Sequence, residues 1–242
     1  SPSADLNIQG KNIIIGGNTF GLSAKGNYFA DSVNLKGGLL IDKSKRGAFT
    51  AVIKDFKNPV IDVEIKFSAL NTETAGKHLY DLAGFRLPVT GLLDLSLNLS
   101  GKISEPTLGI FAQSNGPLTY SGPVLPKNWT SFMMTCRLMD NFRKLTVDQF
   151  EICSEEQNIK VSKGSSMDLS NKAKISYNLD MDASNLGIGP IKLFGNALAI
   201  GSFQRDGSRA GAQITLDGIW LNQTPVDRNS FNLSYENVKD ES

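Results

Sequence analysis

Histidine is almost absent from this sequence, cysteine is scarce, and no hydrophobic run is long. The one histidine is His78 and the two cysteines are Cys136 and Cys153. A lone imidazole removes His-rich metal sites and most nucleophile–base triads, because each needs partners that the chain does not hold. His78, beside Lys77, reads instead as a surface residue of a helix. The cysteines lack the Cys-X-X-Cys spacing of a redox motif. Between them, Asp140-Asn141-Phe142-Arg143-Lys144 reads as a hairpin loop. Free thiols or a disulfide both fit the sequence, since bridging requires Cα atoms within ~7 Å of each other.

An excess of one charge is also missing, with 25 basic against 24 acidic side chains. That balance gives no basic footprint for nucleic acid and no acidic tail. No stretch reaches the ~18 apolar residues of a membrane-spanning helix, and the residues that follow Ser1 do not read as a signal peptide. The start at Ser1-Pro2-Ser3-Ala4-Asp5 reads as a fragment of a longer protein or a processed chain.

What the chain does have is alternation. In Leu93-Asp94-Leu95-Ser96-Leu97-Asn98-Leu99-Ser100 the leucines fall on one face of an extended strand and the polar residues on the other. Ile61 to Phe67 and Ile175 to Met181 follow the same period of two. Weaker versions occur at Phe20 to Ala24, Phe49 to Ile53, Ala212 to Leu216 and Phe231 to Tyr235. Punctuation is expected at Gly16-Gly17-Asn18, Gly26-Asn27, Gly37-Gly38, Asp42-Lys43-Ser44, Asn58-Pro59, Ser114 to Pro117 and Asp206-Gly207-Ser208. Such spacing belongs to an antiparallel meander, because βαβ units need longer crossovers. One helix is expected over Glu73 to Ala83, capped by Asn71 or Thr72 and stopped by Gly84.

Chemistry-bearing motifs are weak. Asp62 with Glu64, and Asp180 with Asp182, stand two apart, roughly 6.5–7 Å along a strand, which would suit paired-acid hydrolysis. Their alternation with apolar residues puts them on the solvated face, so neither pair is expected to be catalytic. Gly187-Ile188-Gly189 precedes Pro190 and is a turn, not a phosphate loop. The glycosylation sequons at Asn98, Asn128, Asn222 and Asn232 read as chance occurrences, two of them inside strands. The apolar face is what remains to be explained. Burying one Leu, Ile or Phe stabilises by roughly 1.5–3 kcal/mol, so rows of them need a cover: a second sheet, an opposite wall, a helix or a bound acyl chain.

From Asp81 to Gly109, a short helix precedes the leucine-rich strand, which ends in Leu99-Ser100-Gly101 and is followed by Glu105-Pro106-Thr107-Leu108-Gly109. That succession resembles the AsmA/TamB superfamily, and the stretch from Leu145 through Gly164 to Leu186 is similar to its repeats. The resemblance implies a long β sheet folded as a U-shaped trough, aliphatic inside and polar outside. It further implies inner-membrane anchoring in Gram-negative bacteria, a periplasmic location, and a part in phospholipid movement toward the outer membrane.

The resulting expectation is an all-β protein: a single elongated domain over 1–242, a mostly antiparallel curled sheet with one short helix, belonging to a longer membrane-anchored protein. The expected partners are a phospholipid or other acyl lipid, the inner membrane through an anchor outside this sequence, and an outer-membrane assembly partner; nucleic acid, cofactors, metals and catalysis are not expected. Val63, Ile65, Phe67, Leu93, Leu95, Leu97, Leu99, Ile175, Tyr177 and Leu179 are expected to line the lipid path. The same residues could instead fill a closed sandwich core, in a structural or adhesive protein that binds other proteins.

Overall fold

The structure, a computed structural model, describes residues 3–15, 18–41, 45–73, 76, 89–121, 127–155, 157–171, 173–188, 191–204, 209–221, 224–226 and 229–236. The expected fold class holds: the described chain is almost entirely β, and its strand pairs are antiparallel. Contacts divide it into two units, Ser1–Asn128 and Trp129–Ser242.

In the first unit the strands are β1 (Ser3–Ile15), β2 (Asn18–Phe29), β3 (Ser32–Ile41), β4 (Lys45–Lys54), β5 (Val60–Asn71), β6 (Val89–Thr90), β7 (Leu92–Lys102), β8 (Thr107–Ser114) and β9 (Leu118–Tyr120). The main sheet runs β1-β2-β3-β4-β5-β7-β8, each strand antiparallel to the next. Separately, β6 pairs with β9. The short β10 (Asn128–Trp129) spans the boundary between the units.

The turns at Asn58-Pro59 and at Ser114 to Pro117 fall where the sequence puts them. Two others do not. Gly26-Asn27 lies inside β2 and Gly37-Gly38 inside β3, and the connection between those strands is at Ala30-Asp31. A Cβ on Gly26 would collide with the carbonyl of Asn34, and one on Gly37 with the carbonyl of Ser23. These glycines allow a neighbouring backbone to approach as the sheet curls, a role glycine takes inside strands as well as at turns. The Gly16-Gly17 and Asp42-Lys43-Ser44 turns, and that at Asp206 to Ser208, lie at or within segments outside the described residues.

Only the start of the expected helix is described, with Thr72, Glu73 and Gly76 helical. Of the two expected caps, Asn71 serves: its side-chain carbonyl accepts the Glu73 amide at 2.8 Å. Thr72 is fully buried, donating its amide to the Gly91 carbonyl at 3.0 Å and accepting the Gly91 amide on its hydroxyl at 2.9 Å. Gly91 has φ +147°, and a Cβ there would meet Leu118 Cδ2 at 2.5 Å, so only glycine fits between these two buried residues. The body of the helix, with His78, Leu79, Leu82, Ala83 and Gly84, lies outside the described residues.

The second unit contains β11 (Ser131–Met139), β12 (Lys144–Cys153), β13 (Asn158–Val161), β14 (Ser166–Asp168), β15 (Lys174–Ile188), β16 (Ile191–Gln204), β17 (Arg209–Leu221), β18 (Thr224–Val226) and β19 (Asn229–Glu236). As expected, Asp140 to Arg143 close a hairpin, between β11 and β12. Asp140, Asn141 and Phe142 all have positive φ, the twist that a tight hairpin connection requires. β13 and β14 divide one position in the sheet between them, each pairing with both β12 and β15. Buried Ser165 bridges the gap: its carbonyl accepts the Val147 amide at 2.8 Å, and its hydroxyl accepts the Asp180 amide at 2.9 Å. Trp129 stacks on Phe132, which meets Phe150 edge-on, each at 5.8 Å between ring centroids.

Candidate functional site

Alternate residues on a strand share a face, so the register decides whether apolar residues meet. Here they do. Val63 pairs with Leu99, Ile65 with Leu97 and Phe67 with Leu95 across β5 and β7. Each pair belongs to a row that crosses the sheet. The central row runs Ile8, Ala24, Gly37, Phe49, Ile65, Leu97 and Ile110. The row beside it runs Leu6, Gly26, Leu35, Ala51, Val63, Leu99 and Leu108. An apolar surface thus extends across neighbouring strands in two directions.

This surface is packed in part. Ala24, Phe49 and Ala51 form a buried cluster, Ala24 only 1% exposed, with Leu22, Leu35, Leu39, Val63 and Ile65 against it. Phe67 is buried too. Val63, Ile65, Leu93, Leu95, Leu97 and Leu99 remain half-buried. At the end of β5 the register slips between Phe67 and Leu70, where Ala69 takes φ +50°. The Asp94 carboxylate accepts the Ala69 amide at 2.8 Å and holds that bulge. Asp94 is half-buried, as are Ser96 and Asn98, so the polar face of β7 is less open to water than simple alternation predicts.

In the second unit Ile175, Tyr177 and Leu179 pair with Phe203, Gly201 and Ala199. All three are half-buried, and the Tyr177 ring occupies the space a Cβ on Gly201 would need. The ten residues therefore fall into two groups, seven on β5 and β7 and three on β15. Their neighbours share the same apolar faces without having been expected in the lining: Leu22, Leu35 and Leu39 in the first unit, and the row Met134, Phe150, Val161 and Met181 in the second. Glycines interrupt the alternation in the first case. In the second, strands of a few residues such as β13 are too short for a period to show.

The carboxylates lie on the opposite face. Asp62 accepts a hydrogen bond from Asn98 at 3.1 Å, and Glu64 pairs with Lys66 at 2.8 Å. Asp62, Asp180 and Asp182 are exposed. Among the described residues no cluster of ligating side chains suited to a metal ion occurs.

Both cysteines are free. Cys136 pairs with Val147 in the interior of the β11–β12 ladder and Cys153 with Ser131 at its end, which keeps the sulfurs apart. Burial pushes the Cys136 thiol up to about 11, and the nearby Asp148 carboxylate adds to the rise. Asp148 sits where the register slips between Thr135 and Cys136, and it takes a two-pronged hydrogen bond from Arg137 at 2.7 Å on each oxygen. That bond holds the Arg137 guanidinium above its ordinary range. Comparison with family models, with curated proteins and with solved structures finds no match.

Proposed function

We propose that this chain handles lipid, its apolar rows providing a low-polarity lining along which an acyl tail is held or moved. The observation that carries this reading is that Val63–Leu99 and Ile65–Leu97 are joined pairwise across the ladder and yet stay half-buried. Apolar area left in water costs roughly 25 cal/mol per Å², and a hydrocarbon tail lying along a row would remove that cost without any polar contact. Because neighbouring positions in a row are chemically alike, a tail passes from one to the next without settling in a single deep site.

The wider setting follows from the family resemblance. The chain is a segment of a longer inner-membrane-anchored protein whose trough stands in the periplasm and supports outer-membrane lipid homeostasis or assembly, with no catalytic step. The experiment is photocrosslinking from a photoreactive residue replacing Leu97 in living cells, with the adduct identified by mass spectrometry. A phospholipid adduct at position 97, absent when the probe replaces exposed Asp62, is the expected result. Adducts only with protein at position 97 would overturn the proposal.

The buried cluster of Ala24, Phe49 and Ala51 favours a second reading, a structural β protein that binds partner proteins. A delipidated chain that keeps full stability and takes up no fluorescent fatty acid would decide for it.

A further inference from the structure

One lateral rim of the first unit's sheet gathers its most exposed large apolar side chains. Three hairpin tips stand side by side there: Ala30-Asp31 between β2 and β3, Asp55 to Pro59 between β4 and β5, and Ile103 to Pro106 between β7 and β8. Backbone hydrogen bonds fasten each tip to the next. The Asp55 amide donates to the Asp31 carbonyl, and the Ile103 amide donates to the Pro59 carbonyl, both at 3.0 Å. Stacking of Tyr28 on Phe56, 6.0 Å between centroids, adds a third tie. With two strand spacings between successive tips, the rim is about 20 Å long.

Large apolar side chains stand in water along it: Phe29 is 58% exposed, Ile103 54%, Phe56 45% and Val60 40%. The outermost row on the polar face of the sheet reads Phe29, Ser32, Lys54, Val60 and Lys102 in register. Lysines therefore flank Val60 on both sides in that row, and no carboxylate shares it. The tips carry Lys57 and the acids Asp31, Asp55 and Glu105. The Asp55 carboxylate is directed into its own turn, accepting the Lys57 and Asn58 amides at 3.2 Å each.

We infer that this rim is a bilayer-contact edge, on which Phe29, Phe56, Val60 and Ile103 enter the interfacial zone of a phospholipid membrane. The lysines set among apolar side chains in that row favour that partner over a protein. Lysine is depleted where proteins bury each other, whereas at a lipid surface its alkyl stem lies among the apolar groups and its ammonium reaches the phosphates. Hairpins tied tip to tip lose little conformational freedom when they insert, so most of the contact energy is retained. The inference stands apart from the lipid-lining reading, because it concerns the outer rim and not the apolar rows.

The test is co-sedimentation with vesicles of phosphatidylcholine, alone and mixed with phosphatidylglycerol. Wild type is expected to partition onto both, more strongly onto the mixed vesicles. Phe29→Ser combined with Ile103→Ser should lower the partition coefficient about tenfold or more, while the melting temperature and crosslinking from position 97 stay unchanged. Lys54→Gln with Lys102→Gln should remove the preference for the mixed vesicles. As a positive readout, tryptophan fluorescence from Ile103→Trp should be quenched by brominated lipid, and that from Lys66→Trp in mid-strand should not. The inference is overturned if wild type stays in the supernatant, if the serine variants bind equally, or if quenching is the same at both positions. A concentration-dependent dimer abolished by the serine changes, with no vesicle binding, would assign the rim to a second copy of the chain instead.

Discussion

The ring of Phe67 on β5 lies over Gly47 on β4, its direct partner across the ladder. A Cβ built on Gly47 would meet the ring at Cε1, Cδ1 and Cζ, the last two at 2.8 and 2.9 Å. Gly37 with Phe49 and Gly201 with Tyr177 repeat this pairing of glycine with an aromatic ring. In each case the ring covers backbone that a glycine would otherwise leave exposed. Gly47→Ala is expected to cost about 1–3 kcal/mol through overpacking. Urea unfolding checks this. The same change in a Phe67→Leu background should cost clearly less, because the smaller side chain can yield.

Leu97 and Asn98 are adjacent in sequence and lie on opposite faces of β7. Leu97→Asp places a carboxylate beside Ile65 and Ile110 and should cost ~2 kcal/mol or more, with loss of the lipid adduct in crosslinking experiments. Asn98→Leu removes only the hydrogen bond to Asp62 and should leave the adduct intact. Equal stability and equal lipid crosslinking in Leu97→Asp and wild type would reverse the assignment of faces.

The Cys136 thiol is held protonated by burial, its pKa raised from 9.0 to about 11. The folded state therefore binds this proton more tightly than the unfolded chain does. The associated stability is fully present below pH 9 and is lost as the pH rises toward about 11. Unfolding measured across that window should show a falling contribution that Cys136→Ala eliminates. In native protein a thiol reagent should modify half-buried Cys153 well before Cys136.

Ser165 fills the break between β13 and β14 and satisfies the Asp180 amide at 2.9 Å. Ser165→Ala leaves that amide without its partner and should cost about 1–3 kcal/mol. Hydrogen exchange at Asp180 should accelerate in the variant, while exchange in β16 should change little.

Asp62→Asn, Glu64→Gln, Asp180→Asn and Asp182→Asn, made together, should leave folding and lipid crosslinking at position 97 unchanged. All four positions lie on the face opposite the apolar rows. Loss of cellular function in a normally folded quadruple variant would point to carboxylate chemistry.

The sequence by itself determined the fold class and which face of β5, β7 and β15 is apolar, because a period of two permits only one division of those side chains between faces. It also narrowed the helix cap to Asn71 or Thr72 and located the Asp140 hairpin, where local chemistry suffices. Gly26 and Gly37 were beyond it. Glycine suits a turn and a crowded strand equally well, and only the approach of the Asn34 and Ser23 carbonyls distinguishes the two. Register was beyond it as well. That Val63 meets Leu99 and Ile65 meets Leu97, forming rows continuous across strands, depends on hydrogen-bond pairing between segments distant in sequence. The tertiary structure alone decided this, since sliding a strand by two residues would preserve every face and change every partner.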